Sequence, residues 1–134
     1  RPDRIAAIAG IYPVFDYTTY PGVKRATKAY GMTAEQLQQE QDRFNPIRRA
    51  ETLAEAKIPI YIIHGNDDKV VPIKENSAAL QRVYTNAGEG QLMTLERIDG
   101  QGHNFWQGFF RCQPLIDFVI RHADTAAEET AAAE

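Results

Sequence analysis

The residues best suited to chemistry are carboxylates and an imidazole in two short polar loops. Asp67 and Asp68 follow an apolar run that ends at Ile63, and His103 lies in a later glycine-containing loop. A carboxylate that accepts a hydrogen bond from one imidazole nitrogen fixes the tautomer and stabilises the imidazolium formed when the other nitrogen takes a proton. These residue types indicate a general base, but neither loop contains a nucleophile for that base to activate.

Four side chains in and beside these loops belong to types that bind zinc: His64, Asp67, Asp68 and His103. Their spacing matches no standard metal-binding motif. The sequence therefore predicts no metal and no other cofactor. His64 is interpreted as a structural residue that packs at the end of its strand.

Two aromatic residues are placed to line a pocket beside the pair. Tyr12 follows the first apolar run, and Trp106 comes shortly after His103. Ligand pockets are lined mainly by apolar and aromatic side chains, so both residues are candidates to contact a substrate. Core packing beneath the last helix is the alternative for Trp106 and its aromatic neighbours, which are Phe105, Phe109 and Phe110.

Three apolar segments predict the strands that position these loops: Ile5 to Tyr12, Ile58 to Ile63, and Gln91 to Ile98. The first two are apolar at successive positions, which is typical of strands buried on both faces. Alternation with helices predicts a parallel sheet, in which all strands end at one edge and neighbours lie about 4.8 Å apart. We therefore expect Asp68 and His103 to meet at hydrogen-bond distance.

Capping and proline signals predict the helices between these strands. Thr33 and Gln36 form a capping box that opens a surface helix to about Arg43, and Val14 to Met32 is predicted to be irregular. Three further helices are predicted, and they cover Ile47 to about Ala56, Pro72 to about Ala87, and the residues that follow Pro114.

Composition excludes several classes of protein. The 134 residues are 43% hydrophobic and 25% charged, which is ordinary for one globular domain. The net charge of −3 and the lack of a basic run make nucleic acid an unexpected partner, and no apolar run approaches a membrane span. The single cysteine, Cys112, excludes an internal disulfide. No signal-peptide pattern is found at the start of the chain, and the sequence does not indicate a compartment.

Three segments together resemble the C-terminal half of an α/β-hydrolase. IPIYIIHGNDDKVVP is similar to the seventh strand and acid turn of that family, where the pattern H-G-x-x-D-x-x-V-P occurs. DGQGHNFW resembles the histidine loop after the eighth strand, and RPDRIAAIAGIYPV resembles the end of the helix after the nucleophile elbow, followed by the sixth strand. The order of the three segments agrees with the family.

The resemblance implies an α/β fold with three parallel strands and crossover helices, the N-terminal strands and nucleophile elbow being absent. Residues 1–123 would form this partial domain, with a possible lid insert at 14–45, and residues 124–134 an acidic Ala/Glu-rich tail, disordered or frayed. Asp68 matches the triad acid and His103 matches the base, while Asp67 is left as a turn residue or as a carboxylate that supports the site from outside. The chain departs from the family in having no G-x-S-x-G motif.

The lone serine, Ser77, is predicted to lie inside the helix after Pro72, away from any strained turn. The resemblance therefore implies that the nucleophile and the oxyanion donors lie upstream of Arg1, and that this chain alone is inactive. The implied activity is that of a carboxylesterase-like serine hydrolase, of the esterase or prolyl-oligopeptidase-like type. Its partners would be a small ester or amide substrate and the missing N-terminal half of the fold.

Two alternatives remain open at the level of sequence. One is a non-catalytic α/β-hydrolase-like module that binds a ligand or a partner, which the presence or absence of an upstream G-x-S-x-G would distinguish. The other is an independent flavodoxin-like domain, which requires the 134 residues to fold alone as a monomer.

Overall fold

A three-stranded parallel sheet lies between helices in the computed structural model, which describes residues 4–132, with side chains described as far as residue 123. The strands follow each other in the order β1-β2-β3. Their bounds are β1 Ile8–Ile11, β2 Ile60–Gly65 and β3 Met93–Ile98. The helices are α1 Val23–Tyr30, α2 Ala34–Gln39, α3 Gln41–Phe44, α4 Glu51–Glu55, α5 Ser77–Asn86, α6 Gln107–Phe110 and α7 Gln113–Ala132. The predicted parallel α/β arrangement is thus confirmed.

Strand β2 forms the centre of the sheet. It pairs in parallel with both neighbours, and Ile60 lies opposite Ile8 on one side and Met93 on the other. Five of its six residues are buried. The prediction of a strand buried on both faces is therefore correct for this segment, although the strand begins and ends two positions later than predicted.

Alternate residues of β2 contribute to two separate cores. Ile60 and Ile62 pack in a cluster with Leu80 and Tyr84 of α5. Ile63 points to the other face, where it packs with Phe109 of α6 and with Cys112. Successive side chains of a strand point to opposite faces, so α5 covers one side of the sheet and α6 and α7 cover the other.

Strand β1 is shorter and more exposed than its sequence predicts. The prediction was a strand from Ile5 to Tyr12 buried on both faces, whereas β1 is confined to Ile8–Ile11, with Ala9 exposed and Ile5 39% exposed. The physical reason is its position, since within the described residues β1 pairs only with β2. An edge strand leaves one row of backbone groups unpaired.

The segment between β1 and α4 contains more helix than predicted. Helix α1 occupies part of the stretch that was expected to be irregular, beginning after Gly22 and ending at Gly31, whose φ of 63° suits a glycine. The capping box of Thr33 and Gln36 is confirmed. The helix that it opens breaks at Glu40 instead of continuing to about 43.

The segment between β1 and α4, residues 12–50, has a small core of its own. Leu37 is fully buried with Tyr17 and Ala26, and half-buried neighbours such as Phe44 pack around them. The next predicted helix, 47 to about 56, is divided, because residues 46–49 form a 3₁₀ turn before α4. Whether the segment acts as a lid stays a prediction.

Helix α5 begins at Ser77, five residues after the predicted start at Pro72. Turns occupy residues 73–76, and the buried Asn76 explains why they are stable. Its Oδ1 accepts hydrogen bonds from the backbone N–H groups of Phe15 and Asp16, both at 2.8 Å. Its Nδ2 donates to Pro72 O at 3.0 Å. Asn76 thereby joins the segment between β1 and α4 to the start of α5.

Helix α7 begins next to Pro114 as predicted, and it buries its apolar residues only in part. Leu115 and Phe118 are half-buried, whereas Val119 is 45% exposed. The backbone helix extends into the acidic tail as far as Ala132. Among the described helices, none is both long enough and apolar enough to cross a membrane.

Candidate active site

The loops that follow β2 and β3 lie directly against each other at the carboxyl edge of the sheet. The backbone N–H of Asn66 donates to Ile98 O, and that of Asp67 donates to Gln101 O, both at 2.9 Å. Gly65 permits this approach, because a Cβ atom there would lie 2.2 Å from the backbone oxygen of Gln101. The glycine of the H-G-x-x-D pattern therefore has a steric role in bringing the two loops together.

Asp68 and His103 meet in these loops, as their strand positions predict. His103 Nδ1 lies 2.9 Å from Asp68 Oδ2. The other oxygen, Oδ1, accepts from the backbone N–H groups of Val70 and Val71 at 2.9 and 2.8 Å. A carboxylate can only accept, so Nδ1 carries the proton of this contact. The lone pair of Nε2 is left to take up a proton.

The two partners differ in their access to solvent. Asp68 is buried, with 5% of its surface exposed, whereas the His103 side chain is 30% exposed. Within the part of the chain that the structure describes, His103 Nε2 has no hydrogen-bond partner. The pair thus combines a fixed, buried carboxylate with an imidazole that a bound molecule can reach.

Asp67 occupies a different environment from its neighbour. It is exposed on the turn after β2, where its backbone N–H, and not its carboxylate, holds the adjacent loop. Of the two consecutive acids, the structure brings Asp68 to His103 and leaves Asp67 at the surface. This agrees with the role of turn residue that the sequence assigned to Asp67.

A second imidazole also contacts the acid, and its contact was not predicted. His64 is fully buried in β2, with Nε2 3.0 Å from Val71 O and 3.3 Å from Asp68 Oδ2. Its Nδ1 lies 2.7 Å from Ser77 Oγ. Burial lowers the pKa of His64, since the interior disfavours the charged imidazolium. The signal in the sequence was the spacing of four residues between His64 and Asp68 around a tight turn.

The only serine of the chain is unsuited to attack a substrate. Ser77 is the first residue of α5, not an interior one as predicted, and it is fully buried with its hydroxyl against His64. Ser77, His64 and Asp68 thus form a row of triad-like residue types in the interior. No substrate can reach a hydroxyl that has no exposed surface.

Tyr12 packs directly against the candidate base. Its ring centroid lies 4.2 Å from that of His103 and 5.2 Å from that of Phe109, which it contacts edge-on. Its φ is 37°, in the left-handed region that non-glycine residues seldom adopt. Strained backbone of this kind is concentrated at functional sites. The ring of Tyr12 thus lies beside His103, and its role in lining a substrate pocket stays a prediction.

The aromatic residues after His103 are divided between core and surface. Phe109 is buried, and Trp106 packs edge-on against it with ring centroids 5.3 Å apart. Phe105 is 89% exposed and stacks on Phe110, which is also exposed. Core packing beneath the last helix therefore describes Phe109, while the other three present apolar surface to solvent.

The remaining reactive groups among the described residues do not form a second candidate site. Burial raises the pKa of the Cys112 thiol, which contacts Glu96 Oε2 at 3.3 Å, so the thiolate is disfavoured there. No group of three or more His, Cys, Asp and Glu side chains within the described residues is arranged to hold a metal ion.

A scan of the chain against protein-family models finds no match, and a search of the curated proteins finds no relative. The function has therefore to be inferred from the geometry of the site itself.

Proposed function

We propose that this chain supplies the acid and the base of a serine hydrolase of the α/β-hydrolase type. In this proposal Asp68 orients His103, and His103 serves as the general base for a serine that precedes Arg1. The reaction is acyl transfer to water from a small ester or amide, and an ester is the favoured substrate. The three strands are then the sixth to eighth of the complete sheet.

The observation that carries the proposal is the contact of 2.9 Å between His103 Nδ1 and Asp68 Oδ2, with the acid buried and the imidazole partly exposed. The backbone N–H groups of Val70 and Val71 hold the carboxylate in place. A base of this kind needs its Nδ1–H engaged and its Nε2 open, and both conditions are met.

Two observations support a nucleophile from outside the chain. The single serine is buried at the start of α5, where its hydroxyl is the hydrogen-bond partner of His64. In addition, β1 has no neighbour on its outer side among the described residues. A preceding strand placed there would complete the sheet and bring an elbow serine to the same carboxyl edge.

In the proposed reaction, the serine oxygen bonds to the carbonyl carbon as its proton passes to His103 Nε2. The tetrahedral intermediate then expels the alcohol or amine, which takes that proton and leaves an acyl-serine. Water then bonds to the acyl carbon as its proton passes to His103, and the serine takes that proton when the carboxylic acid is released. Asp68 stays ionised throughout and stabilises the imidazolium.

Labelling with a fluorophosphonate probe tests the proposal. The parent protein, with the sequence that precedes Arg1, should react, and His103→Ala should abolish the reaction. This chain alone should not be labelled. Equal labelling of the chain and its parent would overturn the assignment of the nucleophile. A parent that lacks G-x-S-x-G and resists the probe would favour the alternative, a non-catalytic binding module.

A further inference from the structure

We propose that His64 is a positioning residue for the Asp68–His103 pair and that it acts through the N–H of its Nε2. This inference rests on the proposed function and extends it to a residue in the interior. His64 has no exposed surface, so it cannot touch a substrate. Its Nε2 nevertheless lies 3.3 Å from Oδ2 of Asp68, the same oxygen that accepts from His103.

The neighbours of His64 determine which nitrogen carries its proton. Val71 O, 3.0 Å from Nε2, can only accept a hydrogen bond, so Nε2 must be the donor. In the neutral imidazole, Nδ1 is then an acceptor, and the hydroxyl of Ser77, 2.7 Å away, donates to it. Every polar atom of the ring has a partner without a second proton.

The Nε2–H of His64 is therefore available to Oδ2 of Asp68 as well as to Val71 O. With two backbone N–H groups on Oδ1 and two imidazoles at Oδ2, the carboxylate has little freedom to rotate away from His103. Neutrality matters for the reaction, because a charged His64 would repel the imidazolium that forms at His103. Burial in β2 lowers the pKa of His64 and so favours the neutral form.

The tautomer can be measured on the unaltered chain. In ¹⁵N-detected histidine spectra we expect His64 to be neutral, with its proton on Nε2, down to mildly acid pH. A proton on Nδ1, or a doubly protonated ring at neutral pH, would overturn the proposal. This measurement needs no variant, so it decides even if a substitution prevents folding.

Two variants separate positioning from packing. His64→Leu removes the Nε2–H, and in the parent protein we expect kcat for an ester to fall about 10- to 100-fold with KM little changed. Losses of this size are typical when the hydrogen-bond partner of a metal-ligating side chain is removed, and His64 supports Asp68 in a comparable way. His64→Gln keeps an amide N–H within reach of Asp68, so most of kcat should return. The far-downfield Nδ1–H proton signal of His103 should weaken in the leucine variant and persist in the glutamine variant.

Tyr84→Phe is the matched control. It removes the hydrogen bond from Tyr84 Oη to Ile58 O, 2.7 Å long, near the opposite end of β2. Tyr84 is as deeply buried as His64. It should leave kcat and the His103 signal unchanged. An equal loss of kcat in Tyr84→Phe, or an unchanged His103 signal in His64→Leu, would overturn the positioning role. A parent without ester turnover would instead refute the proposed function, and the His103 signal would still decide the role of His64.

Discussion

Two consecutive aspartates, alike in sequence, have different environments at the end of β2. Asp68 is buried between backbone donors and two imidazoles, while Asp67 faces solvent. In the parent protein, Asp68→Asn should therefore lower kcat by about 10⁴-fold, the loss typical when a triad acid can no longer fix the tautomer. Asp67→Asn should change kcat less than about threefold.

Steady-state kinetics on an ester, with circular dichroism to verify folding, would check this pair of variants. Asp67 is the matched control, because it is the same residue type at the adjacent position. The reverse ranking would assign the role of the acid to Asp67 and refute the role that the contact with His103 gives to Asp68.

His64 should make the stability of the fold depend on pH. Its pKa is lowered by burial, so below about pH 6.5, the ordinary value, the unfolded chain binds a proton there that the folded chain does not. The free energy of unfolding should therefore fall as pH falls through this range, by at most about 1.4 kcal/mol per pH unit from this group.

Urea unfolding of the chain between pH 7 and pH 5 would measure this slope, with His64→Gln as the comparison. The glutamine variant should show a shallower slope, since it lacks the titrating group. Identical slopes in the two proteins would mean that His64 takes up its proton equally in the folded and the unfolded state, which would contradict the lowered pKa.

The contact of Asp68 with His103 was predictable from the sequence, whereas the contact of His64 with Ser77 was not. Parallel strands end at one edge, so loop residues after neighbouring strands are close whatever the details of the fold. The contact of His64 with Ser77 depends on where α5 begins. The sequence suggested Pro72, but the four hydrogen bonds of Asn76 delay the helix to Ser77 and place that hydroxyl on His64.

Among the elements, the two loops at the carboxyl edge depend on Gly65 for their close approach. Gly65→Ala would place a Cβ 2.2 Å from the backbone oxygen of Gln101, and backbone cannot move aside as a flexible side chain can. We expect the β3 loop to be displaced, with loss of the Asp68–His103 contact and roughly 2–3 kcal/mol of stability, as in overpacked cores.

Gly90→Ala is the control for this change. A Cβ at Gly90 would lie 3.5 Å from Thr85 Oγ1, an ordinary contact, so stability and the His103 signal should be preserved. Urea unfolding and the Nδ1–H signal of His103 would report both effects. A Gly65→Ala variant with both properties intact would show that the loops do not need this close approach.

The sequence predicted the existence of the elements better than their ends. The run IPIYII becomes a buried strand because its residues can be apolar on both faces only at the centre of a sheet. The run at 5–12 has the same character but becomes a short, partly exposed strand, since burial depends on the neighbours and not on the strand itself. Helix α1 was missed because Pro21, Gly22 and Gly31 are residue types typical of turns, whereas here they mark the boundaries of a helix.

The molecule as a whole has one side that its own described residues do not cover. β1 is unpaired along its outer edge, and the adjacent face of α7 exposes Ile116, Val119 and Ile120, between 39% and 53% of each. Open strand edges and contiguous apolar surface promote association unless something covers them. In the proposed function, the covering element is the preceding half of the sheet.

We therefore expect this chain alone to associate with itself as its concentration rises and to bind the dye ANS, and the parent protein to do neither. Ile120→Lys should reduce both effects by placing a charge on the exposed face, whereas Asn86→Lys, at the exposed end of α5, adds the same charge elsewhere and should not. Light scattering after size-exclusion chromatography would measure association. A chain that stays monomeric and binds no dye would contradict the half-sheet and favour an independent flavodoxin-like domain. The reason is that a sheet that another segment must complete cannot hide its open edge from solvent.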